Sequence, residues 1–274
     1  MKEIRNEEIE HLAESIVSEG SMGIPIDPYF IAQKYGIEVI EGTGYGSYFN
    51  GIIVHTDGKF YIVLNMDVLT DPYYNKSKYT CAHELGHFFI KEHKELLEKG
   101  ISMPYTSIRS SNIEVKKRED QAQLFAAALL MPRSIFIEQA LKLAPGFGAI
   151  IELSRYFKTS FLSTAIRYSC LDIVPTIQIL WYEEGIKGRN ISNGFAKVLG
   201  KDPLMKVDPN RYQMDEEEIT FEMTEYNSIK FKRSITSLSS WVFNLDEIGI
   251  EDMLVCEETF HCASYNLTLL RMTQ

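Results

Sequence analysis

The sequence predicts an α+β protein, because helical and strand-like patterns occupy different stretches of the chain. Apolar residues recur at helical spacing over residues 4–19, 76–93 and 118–131. Short runs rich in β-forming residues fill Ile37–Leu64 and return from Ile173 onward. We therefore expect helices around a small N-terminal sheet, followed by a strand-rich C-terminal part.

Two helices and a small sheet are predicted within the first 65 residues. The helix over 4–19 is followed by Gly20, which favours a stop, and Pro28–Tyr35 predicts a second, short helix. The runs IEVI, GIIV and FYIVL predict three strands. The sequence Thr56-Asp57-Gly58-Lys59 between the last two runs is typical of a hairpin turn, so we expect those two strands to pair.

Two strong helices, Lys76–His93 and Arg118–Met131, flank a polar connector over residues 94–117. Pro132 helps to end the second helix, because proline cannot continue helical hydrogen bonding. The connector has little periodicity, and we predict that it is the most mobile segment of the chain.

The sequence from residue 134 onward predicts a helical segment and then a second group of strands. Residues 134–170 have a helical pattern with a break at Ala144-Pro145-Gly146. The strand-like runs that follow are TIQILWY, EITFEM, SIKFKR, DMLVC and YNLTLL. We therefore predict a domain over 1–135, a small helical segment over 136–171 and a mixed α/β, strand-rich C-terminal domain over 172–274.

Composition is that of a soluble globular protein, with 45% hydrophobic and 24% charged residues. The formal net charge of −10 opposes attraction to nucleic acid and to anionic lipid, so direct nucleic-acid binding is not expected. The N-terminus lacks the features of a signal peptide, and the apolar run Leu124–Met131 is too short to span a bilayer. We expect a cytoplasmic protein, with no membrane partner, whose oligomeric state the sequence leaves open. The four scattered cysteines predict free thiols: Cys81, Cys170, Cys256 and Cys262.

An HExxH motif, His83-Glu84-Leu85-Gly86-His87, lies inside the helix predicted over 76–93. At 3.6 residues per turn, His83 and His87 project from the same face of a helix and can bind one metal ion. Glu84 lies about 100° around that helix, where it can act on a water molecule without binding the metal. Neutral imidazoles suit zinc, and a catalytic zinc site needs a third protein ligand.

The helix over 118–131 supplies that third ligand in Glu119. Its position falls on the apolar face that runs through Ala122 and Ala126, whereas Asp120 should point away. A buried carboxylate is costly unless it is paired or bound to a metal. Glu114 and Asp120 are the alternatives if Glu119 does not bind. The competing interpretation of the motif is a pair of helical histidines satisfied by ordinary hydrogen bonds.

The segment Tyr79–His87, followed by Glu119–Pro132, resembles the ImmA/IrrE metallopeptidases. The similarity begins near Pro25-Ile26-Asp27-Pro28 and extends to about Cys170. It implies a zincin-like metallopeptidase domain with His83 and His87 as zinc ligands, Glu84 as the base and Glu119 as the third ligand. The chain departs from the family pattern at Gln123, where a shorter Asn or Ser is usual, and in its long connector.

The resemblance also implies a function and a partner. Family members often act as bacterial stress or mobile-element regulators that cleave a DNA-binding repressor, and some carry a sensor-like module after the catalytic domain. The chain is thus expected to be a zinc-dependent endopeptidase whose protein substrate is a transcriptional repressor. Zinc would activate water, and Glu84 would take its proton and pass it to the leaving amine.

Weaker signals concern substrate binding and oxyanion stabilisation. The strand Phe60–Leu64 could pair with an extended substrate by addition to a sheet edge, although a covered strand is an equal interpretation. Several side chains could donate to the oxyanion, and the sequence does not choose among them: Tyr73, Tyr74, Tyr79, His93 and Arg109. Cys81 should lie away from the histidine face, as a core cysteine.

Two alternative functions remain open. One is a metal-containing regulator that binds a partner without cleaving it, which the retained Glu84 disfavours. The other is a DNA-binding transcription factor that uses residues 151–171, whose pattern resembles a helix-turn-helix with Lys158-Thr159-Ser160 at the turn. Only Arg167 offers a base-reading cation there, so we favour a structural helical pair.

Overall fold

The computed structural model describes residues 5–20, 22–69, 75–101, 112–182, 185–200, 205, 217–224, 227–250, 253–262 and 265–273. Internal contacts divide the chain into two compact units. The first unit comprises Met1–Phe136 and Tyr156–Ser160, and the second comprises Ile137–Arg155 and Phe161–Gln274. The domain limits at 135 and 171 stay a prediction about how the chain is organised.

The N-terminal half contains six described helices and three described strands. The helices are α1 (Asn6–Glu19), α2 (Pro28–Lys34), α3 (Asn75–Phe89), α4 (Lys91–Glu98), α5 (Ile113–Leu130) and α6 (Arg133–Ala140). The strands are β1 (Glu38–Gly42), β2 (Gly51–Thr56) and β3 (Lys59–Asn65).

The small sheet has the order β1-β3-β2. The strands β1 and β3 run parallel, and β2 and β3 form the predicted antiparallel hairpin, with Thr56 opposite Lys59 across the turn. Alternate residues of β3 are buried, including Ile62 and Leu64, so one face of the sheet packs on the helices. Among the described strands, β2 has a neighbour on one side only.

The core of the first unit forms where α1 and α3 pack against α5. Gly86 lies where α3 packs against α5. A Cβ atom on Gly86 would lie 3.1 Å from Ala122 Cα and 3.2 Å from Phe125 Cβ. Glycine therefore lets the motif helix come close to the helix that carries Glu119.

Helix boundaries around the predicted connector differ from expectation. The helix predicted over 76–93 ends at Phe89, and Ile90 adopts an extended backbone before α4 begins. Helix α5 begins five residues earlier than predicted, because the Asn112 side chain accepts hydrogen bonds from the backbone N–H groups of Glu114 and Val115. Residues 102–111 of the connector lie outside the described residues.

The second unit is built on an antiparallel sheet of six described strands in the order β5-β4-β9-β8-β7-β6. The strands are β4 (Thr176–Tyr182), β5 (Gly185–Ile191), β6 (Glu217–Thr224), β7 (Asn227–Ser237), β8 (Leu254–Cys262) and β9 (Tyr265–Met272). The helices α7 (Phe147–Phe157), α8 (Phe161–Cys170) and α9 (Asn193–Leu199) complete the described helical set, with short 3₁₀ turns at Leu238–Ser240 and Asp246–Ile248. All five predicted strands form, whereas β5 and α9 were not predicted.

These elements make the protein an α+β structure, as predicted. Trp181 and Trp241 belong to a core cluster of the second unit, with ring centroids 6.1 Å apart. Within the described part of the chain, we find no helix with the length and apolar character needed to cross a membrane.

Candidate metal centre

Helix α3 places the two histidines of the motif side by side. His83 and His87 are one turn apart, and their ring centroids lie 5.0 Å from each other. They project from the same face of the helix, as the i, i+4 spacing predicted, and that face points to Glu119 of α5. His87 is 1% exposed, and the side chain of His83 is 16% exposed, so the pair is accessible mainly from the His83 side.

Glu119 of α5 meets both histidines. Its Oε2 lies 3.1 Å from His83 Nε2, and its Oε1 lies 3.5 Å from His87 Nε2. Donor atoms of the three residues all lie within 4.8 Å of one another, which is close enough to hold one metal ion. Glu119 is 6% exposed while Asp120 is exposed, so the predicted orientation of this helix is correct.

Glu84 lies beside this cluster, between α3 and β2. Its carboxylate accepts a hydrogen bond from the Ile53 N–H group, and its side chain is almost fully buried. Burial raises the pKa of Glu84 to about 7; the charge of Glu119 adds to that rise, whereas His83 and the Ile53 N–H group oppose it. Glu84 can therefore gain and lose a proton near neutral pH.

The two histidines differ in their proton affinity. Burial, together with the charges of His83, His93 and Arg118, holds the pKa of His87 well below its usual value. For His83, burial also opposes protonation, but the hydrogen bond with Glu119 and the negative charges of Glu84 and Glu119 outweigh it and raise the pKa. His87 is thus the more firmly neutral of the two imidazoles.

Strand β2, rather than β3, borders the site. A Cβ atom on Gly51 would lie 2.4 Å from Thr80 Cγ2 and 3.3 Å from Glu84 Oε1, so glycine is needed for β2 to pass so close to α3. Of the two interpretations of Phe60–Leu64, the covered strand is the correct one, because β3 is paired with β1 on one side and β2 on the other. The edge near Glu84 belongs to β2.

The remaining predicted site residues fall into three groups. Tyr73, Tyr74 and Arg109 lie outside the described residues. Burial raises the pKa of Tyr79 to about 12, so its phenol stays a proton donor at neutral pH. Cys81 is fully buried, and burial raises the pKa of its thiol, which agrees with a core cysteine.

The sequence did not predict the role of two buried residues, His93 and Gln121. His93 Nδ1 lies 3.1 Å from His87 Nδ1, and His93 Nε2 lies 3.0 Å from Gln121 Oε1. Both nitrogens of His93 are therefore occupied, which removes it from the oxyanion candidates. Gln123, the position singled out in the sequence, is exposed.

The predicted helix-turn-helix-like pattern corresponds to α7 and α8, joined at Lys158-Thr159-Ser160. Arg167, the cation expected to contact bases, is 2% exposed. Leu153 and Phe157 are likewise buried. The burial of Arg167 therefore removes the one cation that was expected to contact bases.

Comparisons with known proteins concern the fold of the chain and its family. A search of curated proteins finds no match. A solved structure described as a Mycobacterium tuberculosis transcriptional regulator is similar over 98% of this chain and 78% of its own, with a TM-score of 0.56 and 18% sequence identity. At that identity, the likeness shows a shared fold alone.

Residues 71–169 match the family model Peptidase_M78, which is described as the IrrE N-terminal-like domain. The matched segment contains the HExxH motif of α3, all of α5 and therefore the whole His83, His87 and Glu119 cluster. This match confirms the predicted ImmA/IrrE assignment for this segment of the chain.

Proposed function

We propose that the protein is a zinc-dependent endopeptidase with a zincin-like site. The observation that carries the proposal is the convergence of His83, His87 and Glu119 from two helices, with Glu84 buried beside them. His83, His87 and Glu119 are the proposed zinc ligands, and Glu84 is the proposed general base.

The donor set supports zinc as the metal. Two imidazole nitrogens and one carboxylate are ligands that catalytic zinc takes in hydrolases, and three protein ligands leave a position for water or substrate. Glu119 is buried, and a carboxylate in that position is stabilised by a cation. Zinc held there would polarise the scissile carbonyl and acidify the attacking water.

Glu84 performs the proton transfers in this proposal. Beside the bound zinc, its carboxylate can take a proton from the attacking water and then give that proton to the leaving amine nitrogen. The hydrogen bond from the Ile53 N–H group holds the carboxylate at the edge of β2. The base is thereby fixed next to the ligand cluster.

The edge of β2 supports a peptide substrate. Among the described strands, β2 pairs only with β3, so its other side can accept an extended chain by strand addition. The Ile53 N–H group on that side points to Glu84. A peptide that lies along β2 would therefore pass the proposed base.

We propose a protein substrate, such as a DNA-binding repressor in a bacterial stress or mobile-element response, in the cytoplasm. The family assignment supports this class of substrate. The solved structure of similar fold is described as a transcriptional regulator, which agrees with a regulatory setting. Direct nucleic-acid binding is not part of the proposal, because Arg167 is buried.

The experiment compares zinc-loaded wild type with zinc-loaded Glu84→Gln on a library of unstructured peptides, with new N-termini read by mass spectrometry. We expect cleavage by wild type and a loss of at least about a hundredfold in Glu84→Gln, which keeps its zinc. Equal cleavage by both proteins would assign the activity to a contaminant. Absence of cleavage by zinc-loaded wild type, on peptides and on folded repressors alike, would favour a regulator that does not cleave.

A further inference from the structure

His93 is a fully buried histidine that contacts His87 on the side of the ring opposite to Glu119. It lies in α4, and its ring centroid is 5.1 Å from that of His87. The two Nδ1 atoms are 3.1 Å apart, so one of them donates a proton to the other. The opposite nitrogen of His87, Nε2, faces Glu119.

Gln121 decides the direction of these hydrogen bonds. Its Oε1 lies 3.0 Å from His93 Nε2, and a carbonyl oxygen can only accept, so His93 Nε2 carries the proton. A neutral His93 then has its lone pair on Nδ1 and accepts from His87. His87 therefore carries its proton on Nδ1 and its lone pair on Nε2, the atom that faces Glu119.

This chain of hydrogen bonds is shielded from solvent, because all three side chains are buried. His87, His93 and Gln121 are 1%, 0% and 8% exposed, so water does not compete freely for their polar atoms. Three separate helices, α3, α4 and α5, contribute one residue each. The break at Ile90 that separates α4 from α3 is what allows His93 to turn back onto His87.

We propose that Gln121 and His93 are positioning residues that fix His87 in the tautomer and orientation required for metal binding, and so raise the affinity for zinc. The inference rests on the metal site of the proposed function but concerns residues that do not bind the metal. Removal of such hydrogen-bond partners typically weakens metal affinity ten- to a hundredfold, roughly, because the ligand ring is no longer held.

The first test measures zinc affinity by competition with a chromophoric chelator, together with the visible spectrum of the cobalt(II) protein. His93→Phe keeps an aromatic ring, and Gln121→Leu keeps most of the volume, but both break the chain. We expect each to lose about ten- to a hundredfold in zinc affinity and to shift the cobalt spectrum. Gln121→Glu retains an acceptor and should preserve most of the affinity. Gln123→Leu, on the exposed side of the same helix, is the matched control.

The second test needs no variant that might misfold. In zinc-free wild type at pH 8, long-range proton–nitrogen NMR should show His87 protonated on Nδ1 and His93 protonated on Nε2. The opposite tautomers would overturn the inference. So would wild-type zinc affinity and cobalt spectra in both His93→Phe and Gln121→Leu. If wild type itself bound no zinc, the proposed function would fail as well, whereas unchanged variants of a zinc-binding wild type would overturn this inference alone.

Discussion

Glu84 and Glu119 are buried carboxylates in one small cluster, but their surroundings give them different tasks. Glu119 lies against the Nε2 atoms of His83 and His87, where a shared cation would neutralise it. Glu84 is displaced toward β2 and accepts a backbone hydrogen bond from Ile53. One residue is thus suited to bind a metal, and the other to exchange a proton beside it.

The raised pKa of Glu84 predicts how the stability of the zinc-free protein depends on pH. Because the folded pKa of about 7 lies above the ordinary glutamate pKa of 4.5, the folded state binds this proton more tightly than the unfolded state. The free energy of unfolding should therefore fall as pH rises from 4.5 to about 7. Glu84→Gln removes the ionisation. Its free energy of unfolding, relative to that of wild type, should rise by on the order of 3 kcal/mol between pH 4.5 and pH 8.

Urea unfolding of both zinc-free proteins at several pH values measures this difference. Glu98→Gln, an exposed change in α4, serves as the control and should show little pH-dependent gain. A difference between Glu84→Gln and wild type that stays constant from pH 4.5 to pH 8 would rule out the raised pKa.

At the scale of elements, the site depends on how closely α3 and α5 approach each other. The sequence predicted both helices and the facing of Glu119, because those features follow from helical periodicity. The break at Ile90 was not predictable in the same way. Ile90 and His93 continue the apolar pattern of α3, and both are fully buried, so periodicity alone gives no sign of two helices.

The close approach at Gly86 predicts the effect of Gly86→Ala. The added methyl group would meet the Ala122 backbone and Phe125 at 3.1 to 3.2 Å, so α5 must shift by a few tenths of an ångström. We expect a folded protein whose zinc affinity falls roughly tenfold, because Glu119 moves relative to the histidines.

Gly23→Ala is the matched control, since an added Cβ atom there meets no other atom within 4 Å. Circular dichroism checks the fold, and competition with a chelator measures the affinity. Unchanged zinc binding in Gly86→Ala would show that the helix spacing does not set the ligand geometry.

The unpredicted elements of the second unit have physical explanations. Strand β5, GIKGRNI, contains two glycines and polar residues, and pairing with β4 rather than local propensity stabilises it. Helix α9 is short, but the residues at its two ends are ones that favour the start and the end of a helix. Ser192 caps its first turn by accepting from the Phe195 N–H group, and Gly200 ends it in a left-handed conformation.

At the scale of the whole molecule, each unit has its own stabilising interior. The first unit holds the entire candidate metal centre. In the second unit, Glu258 is fully buried and is paired with Arg233 and the Phe147 N–H group. Buried charges need such partners, and these bring together residues far apart in the sequence.

The sequence was most informative where chemistry imposes a spacing. His83, His87 and Glu84 follow from one motif, and Glu119 follows from the buried face of a second helix. His93 and Gln121 could not be assigned, because their role depends on the way α4 returns to α3. The order of the strands likewise depends on tertiary packing, which local patterns do not specify.

The most direct test of the central claim is the zinc content of purified protein after dialysis against metal-free buffer, measured by elemental analysis. Wild type and Asp120→Ala should each retain about one zinc ion per chain, whereas His83→Ala and Glu119→Ala should retain almost none, with all four proteins folded. Glu119 and Asp120 are neighbours on α5, one buried and one exposed, so they form a matched pair. Retention of zinc by Glu119→Ala, or its loss from Asp120→Ala alone, would contradict the three-ligand site.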